Sequence, residues 1–327
     1  MEKFLSGIFV FVTVILLPSC TYYFQLDDVA ESPKLVMYSY PGSGDTTIVR
    51  LSRSMPVSAK GAIVSGLRSP DIRCTVNGTP VSLQWTTDSL PGVPAGSHYL
   101  VTAYRDGDCV EFTASVEGLK AVSAATVIPV SFPLLSVEMK RKSSEPSTLQ
   151  FLIRFKDEAS RTDYYAVKVE KKLMYWKNGV YSEERYLMAL ELKDEPLLDT
   201  FSGLDEMLLP DKEFYQNLYF WDDEKIQGKE YTLRLNTSYG ADYETDYEWG
   251  EEKEHVVCKK QYRISLYSLS EECYRYLKSL NDQHSNQLTS SELAPIRPTY
   301  TNVRNGLGLV GGCRLMQTDW MDNLKED

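Results

Sequence analysis

From Lys34 onwards the chain is a succession of short apolar runs separated by turn-forming residues, and this punctuation restricts the fold more than any other feature. "KLVMYSY", "TTIVRLSR", "DIRCTV", "VSLQW", "HYLVTAY", "CVEFTASV" and "AVSAATVIPV" follow one another, with "PGSGD", "NGT" and "RDGD" between successive pairs. Runs this short and rich in β-branched and aromatic residues read as strands. Asn77-Gly78 is the standard two-residue hairpin turn, because both residues tolerate positive φ. "RDGD" at 105–108 reads as another hairpin turn, so that Cys109 opens a strand. Seven or so strands in about a hundred residues predict an immunoglobulin-like β-sandwich over 34–130.

A second β-rich region is expected over 131–327, as a sandwich or barrel-like domain. "LQFLIRF", "DYYAVKVEKKLMYW", "YLMALEL", "NLYFW", "KEYTLRLNTSY" and "HVVCKKQYRISLYSL" read as strands, while "LLDTFSGLDEMLLP" is ambiguous. One helix is predicted, over about 269–283. Ser268 and Glu271 have capping-box spacing, and Cys273, Tyr276, Leu277 and Leu280 form an apolar stripe at helical period. The fold class is therefore mainly β, with a single helix in the C-terminal region.

The N-terminus carries a targeting signal. Phe4–Leu17 is an apolar run of 14 residues, too short for a membrane-spanning helix, which needs about 20 residues, but it suits the apolar centre of a secretory signal. It leads into "LPSC", with Leu17 at −3, Ser19 at −1 and Cys20 at the cut. That is the lipobox of bacterial lipoproteins: small residues admit the backbone to the peptidase, and the thiol takes the diacylglycerol. Residues 1–19 are expected to be the signal peptide, Cys20 the lipid-attachment residue, and 20–33 a tether. The expected membrane contact is this lipid anchor.

Charge narrows the partners. A formal net charge of −11 argues against nucleic acid, whose phosphates need clustered Lys and Arg. With Cys20 acylated, Cys74, Cys109, Cys258, Cys273 and Cys313 remain, an odd set that allows at most two disulfides. Cys74, Trp85 and Cys109 imitate the immunoglobulin Cys…Trp…Cys, but Gly107 stands where the tyrosine corner belongs. A Cys74–Cys109 bridge is one option, and buried small hydrophobes are the other. No C-x-x-C pair exists to suggest a zinc site, and no metal or cofactor is expected.

"NGLGLVGG" (305–312) has the G-x-G-x-x-G spacing of a dinucleotide loop in Gly306, Gly308 and Gly311. The βαβ unit and ribose-binding acid that must follow would have to fit into the 15 residues after Gly312. We read Asn305, Gly306, Gly308, Gly311 and Gly312 instead as a structural turn packed against the second domain, with Leu307 or Leu309 inward. His98, His255 and His284 share no motif, and no catalytic set stands out.

The densest unusual stretch is "SYGADYETDYEWGEEKE" (238–254). Tyr239, Asp242, Tyr243, Glu244, Asp246, Tyr247, Glu248 and Trp249 form a candidate patch for a sugar or a cation. Aromatic faces there stack on pyranose rings while acids accept hydroxyl bonds. The competing reading is a solvated acidic hairpin.

Two C-terminal segments, "ISLYSLSEECYRYLKSLNDQ" and "IRPTYTNVRNGLGLVGG", resemble the end of a Bacteroidetes lipoprotein family known as domain of unknown function 4249. Tyr274, Tyr276, Leu277, Lys278, Ser279 and Leu280 match its helix; Pro298, Tyr300, Asn302, Asn305, Gly306, Gly308, Gly311 and Gly312 match its tail. "LVMYSY", "AATVIPV", "IRFKDEASRTDYYAVKV" and "LYFWDDEKIQGKEYTLRL" follow in the family's order. The resemblance implies an outer-membrane lipoprotein of two β-rich domains, often encoded beside TonB-dependent transporters, and it carries no known catalytic residues. Asp27 and Asp28 come late for the acids that follow the lipidated Cys in surface-displayed lipoproteins, so either membrane face is open. The leading expectation is a non-enzymatic accessory or ligand-capture partner of such a transporter. A structural or adhesive envelope protein is the alternative, and a polysaccharide or peptide hydrolase the third.

Overall fold

The computed structural model describes residues 32–55, 67, 70–198, 214–249, 252–285 and 298–325. The expected signal peptide, Cys20 and the tether up to residue 31 lie outside the described residues, as does "LLDTFSGLDEMLLP" from residue 199 on. Lys34–Ser54 and Ser65–Asp327 form one compact unit. No described helix is long and apolar enough to cross a membrane.

The first part of the chain supplies β1 (Leu35–Ser39), β2 (Thr46–Arg53), β3 (Asp71–Val76), β4 (Thr79–Val81), β5 (Gln84–Thr86), β6 (Ser97–Val101), β7 (Cys109–Ser115) and β8 (Val122–Val127). The second supplies β9 (Leu134–Lys142), β10 (Glu145–Lys156), β11 (Tyr164–Lys177), β12 (Val180–Leu187), β13 (Tyr219–Asp222), β14 (Glu230–Ser238), β15 (Tyr243–Trp249) and β16 (Glu252–Leu269). Helix α1 (Glu271–Ser285) follows, then β17 (Leu307–Val310), β18 (Cys313–Gln317) and β19 (Met321–Asp322).

Two sheets make the first sandwich: β17-β1-β2-β6-β5 and β4-β3-β7-β8. Strand alternation builds its core. In β7, Val110, Phe112 and Ala114 are buried while the residues between them are exposed, the pattern of a strand with one face on a core. Leu35, Met37, Val49, Leu100, Val122 and Val310 complete the cluster.

Several elements differ from the sequence expectations. Asn77 and Gly78 both have positive φ and join β3 to β4, but "RDGD" joins no hairpin. β6 pairs with β2 and β5, whereas β7 pairs with β3 and β8, so the turn carries the chain from one sheet to the other. Cys74 and Cys109 are both free. The register sets Cys74 opposite Phe112 in the core, while Cys109 opens β7 in solvent, so the two thiols serve different faces.

The 34–130 and 131–327 division is also incomplete. Leu307–Val310 are not a compact turn; they form β17, a parallel strand of the first sandwich beside β1, although Leu309 does pack inward against the second region as expected. Two residues later β18 pairs with β16 in the second region. The neighbouring strands therefore belong to different sheets. Leu309 is fully buried in the second core and Val310 in the first, while Leu307 is exposed.

The second region packs β14-β10-β9 against a larger sheet, β12-β11-β16-β15, to which β13, β18 and β19 add. Phe151 meets Tyr262 edge-on at 5.6 Å, and Phe155 meets Tyr165 at 5.7 Å. Such pairs contribute about 1 kcal/mol each beyond their buried area. β9 and β15 are strands the sequence reading left out, and "YLMALEL" contributes only its first two residues to β12. The helix begins later than its expected cap, because β16 stays paired to β11 and β18 through Leu269. Ser270 is the cap: its Oγ accepts the Cys273 N–H at 3.3 Å.

Candidate functional site

The core of the second region uses β11 only up to Val169 and β16 only from Tyr262. Beyond those residues β12, β11, β16 and β15 continue as a four-stranded extension, and its side chains build a cleft. Pairing places Ser182, Tyr175, Cys258 and Tyr243 in one row across the four strands. Val180, Lys177, Val256 and Thr245 form the next row on the same face. Tyr175 and Tyr243 thus stand two strand spacings apart, about 9–10 Å at the backbone, with buried Cys258 between them. The cleft has a volume of about 390 Å³ and is lined by Tyr175, Lys177, Ser182, Glu184, Tyr243, Tyr247, Glu254 and Val256.

Its electrostatics follow from partial burial. The Tyr243 phenol is pushed up to about 12 by burial and by Cys258 beside it, and Tyr175 moves in the same direction for the same reasons. Both remain neutral donors at physiological pH. Lys260 lies 5.2 Å from the Tyr243 ring. Burial, then Lys260, holds Lys171 below the ordinary lysine range. The arrangement offers ring faces, hydroxyl donors and carboxylate acceptors, the set that recognises a polyhydroxylated ligand.

The structure divides the acidic–aromatic patch predicted over 238–254. Tyr243 and Tyr247 line the cleft. Glu244 and Asp246 occupy the opposite face of the sheet, where Asp246 bonds His255 Nδ1 at 2.8 Å and Glu244 lies 3.4 Å from Nε2. Asp242 is a structural acceptor for the Lys260 N–H and the Asn323 amide. Tyr239 donates to the Leu324 carbonyl and lies under Arg141 at 4.0 Å. The backbones of Glu248 and Trp249 pair with Lys253 and Glu252; their side chains lie outside the described residues. The segment is thus a sheet edge, and the alternation of Tyr243, Thr245, Tyr247 and Trp249 was the sequence signal for it. Tyr175, Lys177, Ser182 and Glu184 were invisible from the sequence because only the β11–β12 and β11–β16 registers bring them here.

A second cluster was also missed. Asp157, Asp163 and Asp223 are all buried, and they can bring one carboxylate oxygen each to within 4.8 Å of the others. Arg161 holds both oxygens of Asp163 at 2.8 Å, Asp157 accepts from the Tyr165 hydroxyl and the Gly228 N–H, and Asp223 accepts from the Asp163 N–H. Burial, then Asp157 and Asp163, raises Asp223 above the usual carboxylate range. The oxygens are of the kind that a hard cation takes. Their existing hydrogen bonds also give them a purely structural role, tying the loop after β10 to the β13–β14 connection.

The "NGLGLVGG" glycines hold no phosphate cradle, since β17 opens no helix. Gly306 turns the chain with its N–H on the Val303 carbonyl, and Gly311 donates to the Ser39 carbonyl. Asn302 caps the turn region through the Ala125 and Val310 carbonyls and the Val310 N–H.

Comparison with curated proteins returned no match. The family model described as "Domain of unknown function (DUF4249)" matches residues 21–319. The chain belongs to the DUF4249 family.

Proposed function

We propose that this protein is a lipid-anchored outer-membrane protein that captures a ligand without transforming it, as the accessory partner of a TonB-dependent transporter. The observation that carries the capture role is the tyrosine cleft on the β12-β11-β16-β15 extension. The lipobox at Leu17–Cys20 supports the anchor, and the transporter partnership rests on the family resemblance. Aromatic rings on β11 and β15, hydroxyls and the acids Glu184 and Glu254 suit a polyhydroxylated ligand such as an oligosaccharide.

The backbone spacing of the two cleft acids favours binding over hydrolysis. Glu184 sits opposite Leu173, and Glu254 falls six residue rows further along the sheet, roughly 20 Å by strand rise. Glycosidase pairs stand about 5–10 Å apart. The concave cleft also favours capture over the adhesive alternative.

Calorimetric titration of the full chain with a panel of neutral and acidic oligosaccharides tests the capture role. At least one should bind saturably, and Tyr175→Ala or Tyr243→Ala should weaken it about tenfold, the loss expected for one stacking ring. Binding untouched by both substitutions would place the ligand elsewhere. Co-purification from native membranes tests the partnership, and a chain that reproducibly emerges alone would count against it.

A further inference from the structure

A different cavity, of about 460 Å³, opens on the first sandwich and is lined by Tyr38, Tyr40, Ser43, Thr46, Ile48 and Arg50. Thr46, Ile48 and Arg50 are alternate residues of β2, so they share the face opposite Thr47 and Val49, each of which is 1% exposed in the core. Tyr38 faces the same way on β1, in register with Arg50. Its hydroxyl lies 3.2 Å from that of Tyr276 on α1, and the two rings meet edge-on at 6.1 Å. The "PGSGD" turn completes the wall, held by the Ser43 hydroxyl on the Tyr40 carbonyl.

The chemistry of this wall is asymmetric. Among the described residues Arg50 is the one charged residue that lines the cavity, and it forms no ion pair with any of them. Around it stand the hydroxyls of Tyr38, Tyr40, Ser43 and Thr46, with Ile48 and the tyrosine rings as apolar surface. Tyr40 lines the same cavity as Arg50, and partial burial raises its phenol above the usual range, so it stays protonated. A guanidinium fork next to neutral donors is complementary to an anion, and the cavity falls in the size range of small-molecule sites.

We propose that this cavity is a binding site for a small organic anion, with its carboxylate on Arg50 and its apolar body against Ile48 and the tyrosine rings. The site is independent of the cleft in the second sandwich. Two probes that share a ring system and differ in charge isolate the claim: 2-naphthoate and the neutral 2-naphthamide, titrated calorimetrically into the full chain. The naphthoate should bind saturably and at least tenfold more tightly than the amide, since a charge-assisted bond is the difference. Arg50→Gln should bring the naphthoate to within about twofold of the amide, while Arg53→Gln, exposed on the same strand, should leave it unchanged. Ile48→Trp should weaken both probes by filling the cavity. No saturable naphthoate binding, no preference for the anion, or an Arg50→Gln chain that keeps the preference would each overturn the proposal. A naphthoate site lost on Tyr243→Ala but kept on Arg50→Gln would do so as well, by placing the probe in the other cleft.

Discussion

Gly308 on β17 lies directly beside Met37 on β1, so closely that a Cβ on the glycine would overlap the Met37 carbonyl oxygen. Gly308 also has φ near +107°, a conformation that L side chains rarely adopt. Both constraints share one origin, because β17 must press against β1 while its neighbours Leu309 and Val310 fill different cores. Gly308→Val should therefore cost about 3 kcal/mol or more from strain and overlap together, read as lost soluble yield and a lowered Tm. Gly44→Ala, where an added Cβ would meet open space, should change Tm little. Equal stability of the two variants would show that the β17–β1 contact does not hold the fold.

That glycine also shows what the sequence could reveal. Most strands of both sandwiches, though not β9, β15 or β17 to β19, were legible because alternation and turn residues are local signals, as in "CVEFTAS" or Asn77-Gly78. The special geometry at 305–312 was legible too, but its location was not. A parallel pairing between β1 and a strand some 270 residues later leaves no local trace. The same holds for the cleft: Tyr243 and Tyr247 stood out in a dense segment, while Tyr175 and Ser182 became site residues only through register. The Asp157–Asp163–Asp223 cluster was hidden for a like reason, since two loops distant in sequence, β10–β11 and β13–β14, supply it. "RDGD" misled because a turn sequence reports chain reversal and says nothing about which sheet receives the next strand.

Ser270 joins the helix to the first sandwich, and its removal should be felt in both. Its Oγ caps α1 through the Cys273 N–H and accepts from Thr126 Oγ1 at 3.0 Å, while Thr126 also receives the Gly312 N–H. Ser270→Ala should cost about 2 kcal/mol, combining a lost cap with a lost buried hydrogen bond. A double-mutant cycle with Thr126→Val should give a coupling above about 0.5 kcal/mol. Additive losses would mean that the two hydroxyls act separately.

The five thiols beyond Cys20 should react very unequally. Cys109 is exposed, whereas Cys74, Cys258, Cys273 and Cys313 are buried. Burial pushes Cys74 up to about 12 and Cys313 up to about 11, and it raises Cys273 as well. Thiolates are the reactive form, so a thiol reagent at pH 8 should modify one of these five rapidly in the native state and the rest only on unfolding. Cys109→Ser should remove the rapid phase, and reductant should leave Tm unchanged. A reductant-sensitive Tm would instead indicate a bridge.

The raised Asp223 carboxyl makes a prediction with a definite pH direction. A folded-state pKa above the unfolded value means that the native state favours the proton. The associated stability is present at acid pH and is lost as pH rises through the folded pKa, so at neutral pH the ionised group is a cost. Asp223→Asn removes that charge and keeps an oxygen to accept the Asp163 N–H. Its new amide N–H groups face the carboxylates of Asp157 and Asp163, which are acceptors. In EDTA at pH 7 the variant should melt about 2–4 °C higher, the shift that roughly 1 kcal/mol produces in a large domain. The advantage should shrink steadily as pH falls into the acid range, where the wild-type carboxyl takes up its own proton. A variant that is less stable at pH 7, or a gap that does not narrow with acid, would show that the Asp223 charge is compensated in the native fold.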